Sequence, residues 1–443
     1  RKSEHMVAHD AELDPPRSMD VLERPFDRVM SPPGSKSLTN RALILAALSS
    51  GESVLRAPLV SQDTCGLRDA LALLGASCHV MNETPDAPGA WLMQGCAGRL
   101  PKGGRVMLGD GGTPSRFMLA AAALAMEDVV VDGSARMRER PVVEGIELLR
   151  RLGVELEGTG RPEHLPVTIR GAAGCAGGVL DVGQTASSQF ISALLLIAPW
   201  TREGLTIRFT EAPTSRTYLE LTVDLLRRLG GEVETPGPDL IHVAPGSLDA
   251  FELAIEPDAS SAIYWWAAAA LVPGAKAHVS IPGDSLQPDV LAVDLLESMG
   301  ALVLRSPEGI TVTGPDRLQG GTFDAEGCPD AAVMLAVVAS RASGVTRIEG
   351  LHTLRVKETD RIHALACELA KTGCTVREHP DAIEIDPATV VPRPISVFTW
   401  NDHRMAMAFG VLGLVRPDVV IENPTCVNKS YPGFWDDRAS LLD

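Results

Sequence analysis

Cations stand where helices should begin. Lys36 and Arg41 flank the start of an apolar stretch opened by Gly34-Ser35-Lys36-Ser37, Arg116 follows Gly111-Gly112-Thr113, and Arg404 follows Asn401-Asp402-His403. A helix N-terminus already carries unpaired N–H groups and a partial positive charge, so a cation in its first turn is locally unfavourable. One such residue is ordinarily a solvated side chain. Several in register are better explained by an anion that offsets the repulsion. The densest charged run is Arg355-Val356-Lys357-Glu358-Thr359-Asp360-Arg361. Continued as a helix, it would set Lys357 and Arg361 on one face, repelling each other, with Glu358 beside Arg361 at a spacing of three. Taken alone, that run is a solvated face laced with ion pairs, and Lys429 in Asn428-Lys429-Ser430-Tyr431-Pro432 is an ordinary surface lysine. Pro33-Gly34-Ser35-Lys36-Ser37 lacks the Gly-x-x-x-x-Gly-Lys-Ser/Thr spacing, and no Gly-x-Gly-x-x-Gly follows a strand, so nucleotide and dinucleotide binding have no support.

The elements that must hold these residues recur along the chain. Five segments read as an amphipathic helix closed by glycine and followed by a strand: Leu67 to Val80, Gly145 to Leu156, Leu221 to Val233, Leu291 to Val303 and His363 to Val376. Their glycines, Gly75, Gly153, Gly230, Gly300 and Gly373, are spaced by 78, 77, 70 and 73 residues, and glycine suits the left-handed position that ends a helix. A second element recurs six times, with helices starting near Ser37, Thr113, Ser188, Ser260, Asp330 and Asp402. These helices are apolar nearly all round, which places them in a core. The strands after them include Val129–Val131, Leu205–Phe209, His278–Ile281 and Val419–Ile421. Six copies of a mixed strand-helix unit suggest two similar domains of three units each, with crossings near Pro32-Pro33-Gly34 and Ile255-Glu256-Pro257, where Pro and Gly punctuate the chain.

Composition narrows the partners. The 443 residues allow two or three domains, and 45% hydrophobic with 22% charged content is that of a globular protein. A formal net charge of −17 opposes nucleic-acid and anionic-membrane partners at long range, yet leaves room for a local cationic cluster around a small anion. No apolar run is long enough to span a bilayer. Arg1 to Asp10 show no secretory signal, so a cytoplasmic protein is expected, with residues 1–19 as a tail; a monomer is expected as well. The eight cysteines are scattered without Cys-x-x-Cys spacing, so neither a disulfide framework nor a metal site is expected.

Pro33 to Leu43, read Pro-Gly-Ser-Lys-Ser-Leu-Thr-Asn-Arg-Ala-Leu, closely resembles the N-terminal signature of EPSP synthases, and Arg355 to Arg361 resembles their second hallmark. Glu139-Arg140-Pro141, Ser187-Ser188-Gln189-Phe190, Asp258-Ala259-Ser260-Ser261, Pro329-Asp330-Ala331-Ala332, Asn401 to Met405 and Lys429 to Pro432 follow in the family's order. The resemblance runs from about Pro33 to Phe434. It implies an α/β fold of two similar domains, residues 34–256 and residues 20–33 plus 257–443. Each is three strand-helix units around buried helices, an inside-out α/β barrel, with the active site in the interdomain cleft.

The substrates so implied are phosphoenolpyruvate and shikimate 3-phosphate, each with a carboxylate and a phosphate, which calls for many cations and for Arg where an oxyanion is gripped in bidentate fashion. The resemblance assigns shikimate 3-phosphate to Lys36, Ser37, Arg41 (its carboxylate), Ser187, Ser188 and Ser215 (its phosphate), Gln189, Asp330 and Lys357, with Tyr218 near its ring. It assigns phosphoenolpyruvate to Lys36, Gly112, Arg140, Gln189, Arg361, Arg404 and Lys429. Catalysis is expected from Glu358 as proton donor to the enol methylene, Asp330 as partner of the attacking hydroxyl, and Lys36. No metal or organic cofactor is needed.

The loop Gly109-Asp110-Gly111-Gly112-Thr113-Pro114-Ser115-Arg116-Phe117 departs most from the family's form, with Asp110 bringing a negative charge toward an anion site. Gly112 is retained, so glyphosate is expected to fit the phosphoenolpyruvate pocket. Two rivals remain: the sister transferase acting on UDP-N-acetylglucosamine, which commonly uses a loop cysteine that no residue near Arg140-Pro141 supplies, and a non-catalytic repeat-built binding protein, which would not need Lys36, Asp330 and Glu358 together.

Overall fold

The computed structural model describes residues 14–82, 89–158, 160–171, 174–387 and 393–443. Six inner helices carry the apolar segments foreseen above: α1 (Lys36–Leu48), α2 (Gly112–Ala122), α3 (Gln189–Ile197), α4 (Ala259–Leu271), α5 (Ala332–Ala339) and α6 (His403–Leu412). Nearly every residue of each is buried, because small and apolar side chains leave no polar face to turn outward. They gather in two cores. One runs from Leu38 to Ile255; the other joins Met19, Phe26 and Met30 to residues 259–441.

Around these cores lie six separate sheets, among the described residues five of four strands and one of three. The repeating order is a parallel pair followed by two antiparallel strands. In the second unit Gly104–Met107 lies parallel to Val129–Asp132, which pairs antiparallel with Val167–Ile169 and that with Leu156–Gly158. The first unit of each domain borrows its parallel edge strand from a distant part of the chain. Glu52–Arg56 takes Glu252–Ala254, and Lys276–Val279 takes Asp27–Met30. That exchange requires the chain to pass twice between the cores, and the two passages lie against each other, with Gly34 bridged to Pro257. Ser35 N–H donates to Glu256 C=O and Asp258 N–H to Pro33 C=O, each at 2.8 Å. A Cβ on Gly34 would stand 2.2 Å from the Ala57 carbonyl oxygen, so only glycine fits that passage.

The five amphipathic helices lie outside the inner ones, and their closing glycines have φ between 81° and 117°, as the helix-ending role demands. A sixth outer helix, Phe434–Ala439, completes the set without a glycine close. The strands Leu205–Phe209 and Val419–Ile421 fall where they were expected. The expected tail ends too late. Arg17–Ser18 pairs antiparallel with Val420–Ile421, Met19 is buried in the second core, and Arg17 lies 5.2 Å over the Trp435 ring. A two-residue strand has no periodicity to read. Among the described residues no helix is long and apolar enough to cross a membrane.

Candidate active site

The polar helix starts converge. Lys36, Ser37 and Arg41 of α1, Gly112, Thr113 and Arg116 of α2, and the Ser187-Ser188-Gln189 entry to α3 form one wall of a cleft. Ser260 of α4, Asp330 before α5 and Arg404 of α6 form the other, joined by Lys357, Glu358 and Arg361. Arg140, Ser215 and Tyr218 line it too, while Lys429 reaches it through Glu358. Every residue assigned above from the family's motifs is therefore in the cleft or in ion-pair contact with it.

Local backbone explains how the charges are aimed. The run Arg355 to Arg361 is not one helix: a 3₁₀ turn covers His352–Val356, residues 357–360 are irregular, and an α-helix starts only at Arg361, capped by the Asp360 carboxylate accepting from His363 N–H. The repulsion foreseen between Lys357 and Arg361 persists and, after burial, helps to lower the Lys357 pKa, with Asp330 opposing it. Both point at Asp330 Oδ1, at 3.4 and 2.9 Å. Asp330 Oδ2 accepts from Arg404 at 3.1 Å. Glu358 lies between Arg361 (2.7 Å) and Lys429 (3.3 Å). Asp402, fully buried, grips Arg361 through Nε (2.7 Å) and Nη2 (3.3 Å) while accepting from Arg404 N–H at 2.9 Å, so the cap of α6 also orients the neighbouring guanidinium.

The two walls differ electrostatically. On the α5–α6 side the cations are neutralised by Asp330, Glu358 and Asp402. Burial by itself would raise the Asp330 pKa, but Arg404, Lys357 and Arg361 together outweigh it and hold the carboxyl well below the usual range. Burial likewise opposes ionisation of Glu358, and the charges of Lys429, Arg361 and Arg140 overcome it. His403 is neutral, because burial first and then the charges of Lys36 and Arg404 push it well below the ordinary imidazole value.

On the α1–α3 side the guanidiniums have no carboxylate at ion-pair distance among the described residues. Arg41 is held only by neutral groups: Thr222 Oγ1 (2.8 Å), Ser37 C=O (3.0 Å), Tyr218 C=O (3.2 Å) and Ser192 Oγ (3.3 Å). Burial brings its pKa down to about 10. Arg116 donates to Gln189 Oε1, lies 4.9 Å over Phe190, and falls to about 9, through burial and then the charge of Arg140. Buried cations without counter-ions are costly, and their presence here favours an anionic ligand. Lys36 is the exception on this side, 3.6 Å from Asp63.

Reading the sequence left out several groups that shape the site. Asp63, Glu144, Asp258, Ser260 and Thr353 line the cleft without having been assigned to it, and Arg116, foreseen as a helix-start cation but given no ligand, joins them. Asp258 stood in a quoted motif, and the structure gives it work at the domain crossing: it accepts from Lys36 N–H at 3.2 Å and from Ser261 Oγ at 2.8 Å. Thr353 and Glu144 carried no signal of spacing. Asp110, expected to trouble an anion site, is exposed, accepts from Ser134 Oγ and is not among the residues lining the cleft. Phe117 lies 5.4 Å beneath Arg41.

Gly112 has a definite neighbour. A Cβ there would stand 2.7 Å from Arg140 Nη1 and 2.8 Å from Nη2. Gly112→Ala should therefore displace the Arg140 guanidinium, and on the assignment of phosphoenolpyruvate to Arg140 that the resemblance implies, it should raise the KM for that substrate roughly three- to tenfold, the worth of one hydrogen bond. Steady-state kinetics at saturating shikimate 3-phosphate checks this, and an unchanged KM would contradict the contact.

Comparison with known proteins agrees with this arrangement. The family model described as EPSP synthase (3-phosphoshikimate 1-carboxyvinyltransferase) matches residues 24–437. A 3-phosphoshikimate 1-carboxyvinyltransferase of a Nostoc species is 34% identical over 428 residues, covering 96% of this chain and 99% of the relative. One from Methanosphaerula palustris is 37% identical over 420 residues, covering 94% and 97%. Among solved structures, the EPSP synthase of Acinetobacter baumannii superposes with a TM-score of 0.79 at 24% identity, covering 96% of this chain and 97% of that one. The enolpyruvyl transferase NikO of Streptomyces tendae does so with 0.76 at 19%, covering 96% and 97%. At such identities the structural likenesses establish the two-domain fold, and the sequence matches go further: the chain belongs to the EPSP synthase family, the 3-phosphoshikimate 1-carboxyvinyltransferases.

Proposed function

We propose that the cleft takes shikimate 3-phosphate against the α1–α3 wall and phosphoenolpyruvate between Arg140, Arg361, Arg404 and Lys429, and joins them by addition and elimination. The observation that carries this reading is the unneutralised Arg41, buried among neutral hydrogen-bond partners on the wall that also presents Ser187, Ser188 and Ser215. A carboxylate is the complement that Arg41 lacks, and three hydroxyls suit a phosphate. Asp330 and Lys357 hold the ring hydroxyls, Gln189 lies between the two substrates with Tyr218 near the ring, and Gly112 leaves space for Arg140.

In the addition step the acceptor hydroxyl attacks the carbon bearing the enol oxygen. Its proton passes to Asp330, while the methylene carbon takes a proton from Glu358 to become methyl. In the elimination step a methyl proton returns to Glu358, the double bond re-forms, and inorganic phosphate leaves with the C–O bonding pair and takes up the proton held by Asp330, which restores both carboxyls to their starting states. The surrounding cations stabilise that charge. Lys36, fixed at the start of α1, is placed to bridge the substrates.

Without substrate, Glu358 is ionised and must gain a proton before it can donate one. The cations that depress its pKa are also the proposed ligands of phosphoenolpyruvate. A bound anion screens them, the depression is lifted, the pKa rises, and a proton is taken up. Binding of phosphoenolpyruvate to the enzyme with a non-reacting shikimate 3-phosphate analogue should thus consume protons near pH 7. Calorimetry in buffers of different ionisation enthalpy reads the sign, and proton release would contradict the scheme.

The reading extends to domain limits of 34–256 and of 20–33 with 257–443, the latter now begun at Arg17, and to a cytoplasmic monomer acting on small anions. The net charge of −17 supports the absence of polyanionic partners. Phosphate release tests the function. It should require shikimate 3-phosphate with phosphoenolpyruvate, and turnover with UDP-N-acetylglucosamine in its place would overturn the assignment of the acceptor.

A further inference from the structure

Outside the chain crossing and the contacts at Glu256, two hydrogen bonds join the domains among the described residues. Arg136 Nη2 donates to the Glu358 carbonyl at 3.3 Å, and Thr217 Oγ1 donates to the Gly327 carbonyl at 3.2 Å. Each donor belongs to the first domain and stands beside cleft residues. Arg136 lies on the short helix Ala135–Glu139 that leads into Arg140, and Thr217 lies between Ser215 and Tyr218. Each acceptor is backbone on the segment that carries a proposed acid–base carboxylate. Glu358 is the acid itself, and Gly327 precedes Asp330 by three residues.

Neither acceptor segment is regular. Residues 357–360 carry no helix or strand, and 327–331 are turns before α5 begins at Ala332. Irregular backbone with few internal hydrogen bonds is set by its outside contacts. Arg136 is in turn held by Glu139 Oε2 at 2.7 Å, which aims its second nitrogen across the cleft.

We infer that Arg136 and Thr217 are positioning residues through which contact between the two domains sets the places of Glu358 and Asp330 respectively. The interdomain contact then registers the acid and the base against substrates held on the opposite wall. A displacement of 1 Å at a reacting group is enough to lower a rate substantially, so the bonds matter more for turnover than their stability contribution alone would suggest. This inference rests on the roles proposed for Glu358 and Asp330.

The test is a set of double-variant comparisons. Arg136→Ala and Thr217→Val should each lower kcat by about three- to tenfold, the worth of one hydrogen bond, with Arg136→Lys recovering part of the loss. Small-angle scattering at saturating shikimate 3-phosphate should show these variants as compact as the parent. In a Glu358→Gln background Arg136→Ala should cost nothing further, while in Asp330→Asn it keeps its full effect; Thr217→Val should show the reverse pattern. Parental kcat in both single variants, losses that follow only the fraction of closed protein, or equal losses in both backgrounds would each overturn the inference. If Glu358→Gln or Asp330→Asn itself kept normal turnover, the acid–base assignment would fail, which is a separate result.

Discussion

Replacing Glu358 by Gln, or Asp330 by Asn, should lower kcat by about 10²–10⁴-fold, the usual worth of a positioned general acid or base. The affinity for shikimate 3-phosphate should change far less. Glu358 touches Arg361 and Lys429 but none of the groups proposed to hold the shikimate carboxylate and phosphate. Asp330 is a stricter case, because it also neutralises Lys357, Arg361 and Arg404. Asparagine there leaves three cations with less counter-charge in a buried setting, so Asp330→Asn should bind phosphoenolpyruvate no more weakly than the parent while turning it over slowly. Steady-state kinetics with calorimetric Kd values separates these effects. A variant of either residue with near-parental kcat would remove that residue from the mechanism.

Arg41→Met should weaken shikimate 3-phosphate by about 2–5 kcal/mol, or ~30- to 4,000-fold in Kd, as expected when one partner of a buried charge pair is removed. It should not unfold the protein. In the unliganded state the guanidinium is desolvated among hydroxyls and carbonyls, and an apolar side chain of similar length in such a place is commonly neutral or stabilising. The thermal midpoint should therefore hold or rise while binding is lost. Arg41→Lys should rescue little, since one ammonium cannot reach Thr222, Ser37, Ser192 and Tyr218 together as the planar fork does. A fall in the midpoint with little loss of affinity would mark Arg41 as a structural residue instead.

Much of this site is legible in the sequence. Cations within the first two turns of a helix are unfavourable by themselves, most of all at its start, so Lys36, Arg41, Arg116 and Arg404 advertised an anion. The closing glycines exposed the repeat, since only a left-handed backbone position demands them so regularly. What stayed hidden depends on contacts distant in sequence. Nothing in the spacing shows that Lys357 and Arg361 share Asp330, because the chain between them abandons the helix that a spacing of four suggests. Asp258 could be quoted in a motif but not placed at the crossing, where its carboxylate meets Lys36 N–H across 222 residues. Asp110 was misleading for a related reason: its charge is real, but the hydrogen bond to Ser134 turns it outward. The strand Arg17–Ser18 is too short for any pattern and exists only because Val419–Ile421 offers an edge.

The most direct test of the acid–base account follows the proton at the methylene carbon. In deuterium oxide with both substrates present, the methyl group formed on addition carries one solvent deuteron, and elimination removes one of its three hydrogens. Deuterium should therefore enter the methylene of product and of recovered phosphoenolpyruvate, only when shikimate 3-phosphate is present, and at a rate cut sharply by Glu358→Gln. Proton NMR of the vinyl signals reads it. Turnover without deuterium entry, or entry undiminished in Glu358→Gln, would contradict proton transfer by Glu358 in this cleft.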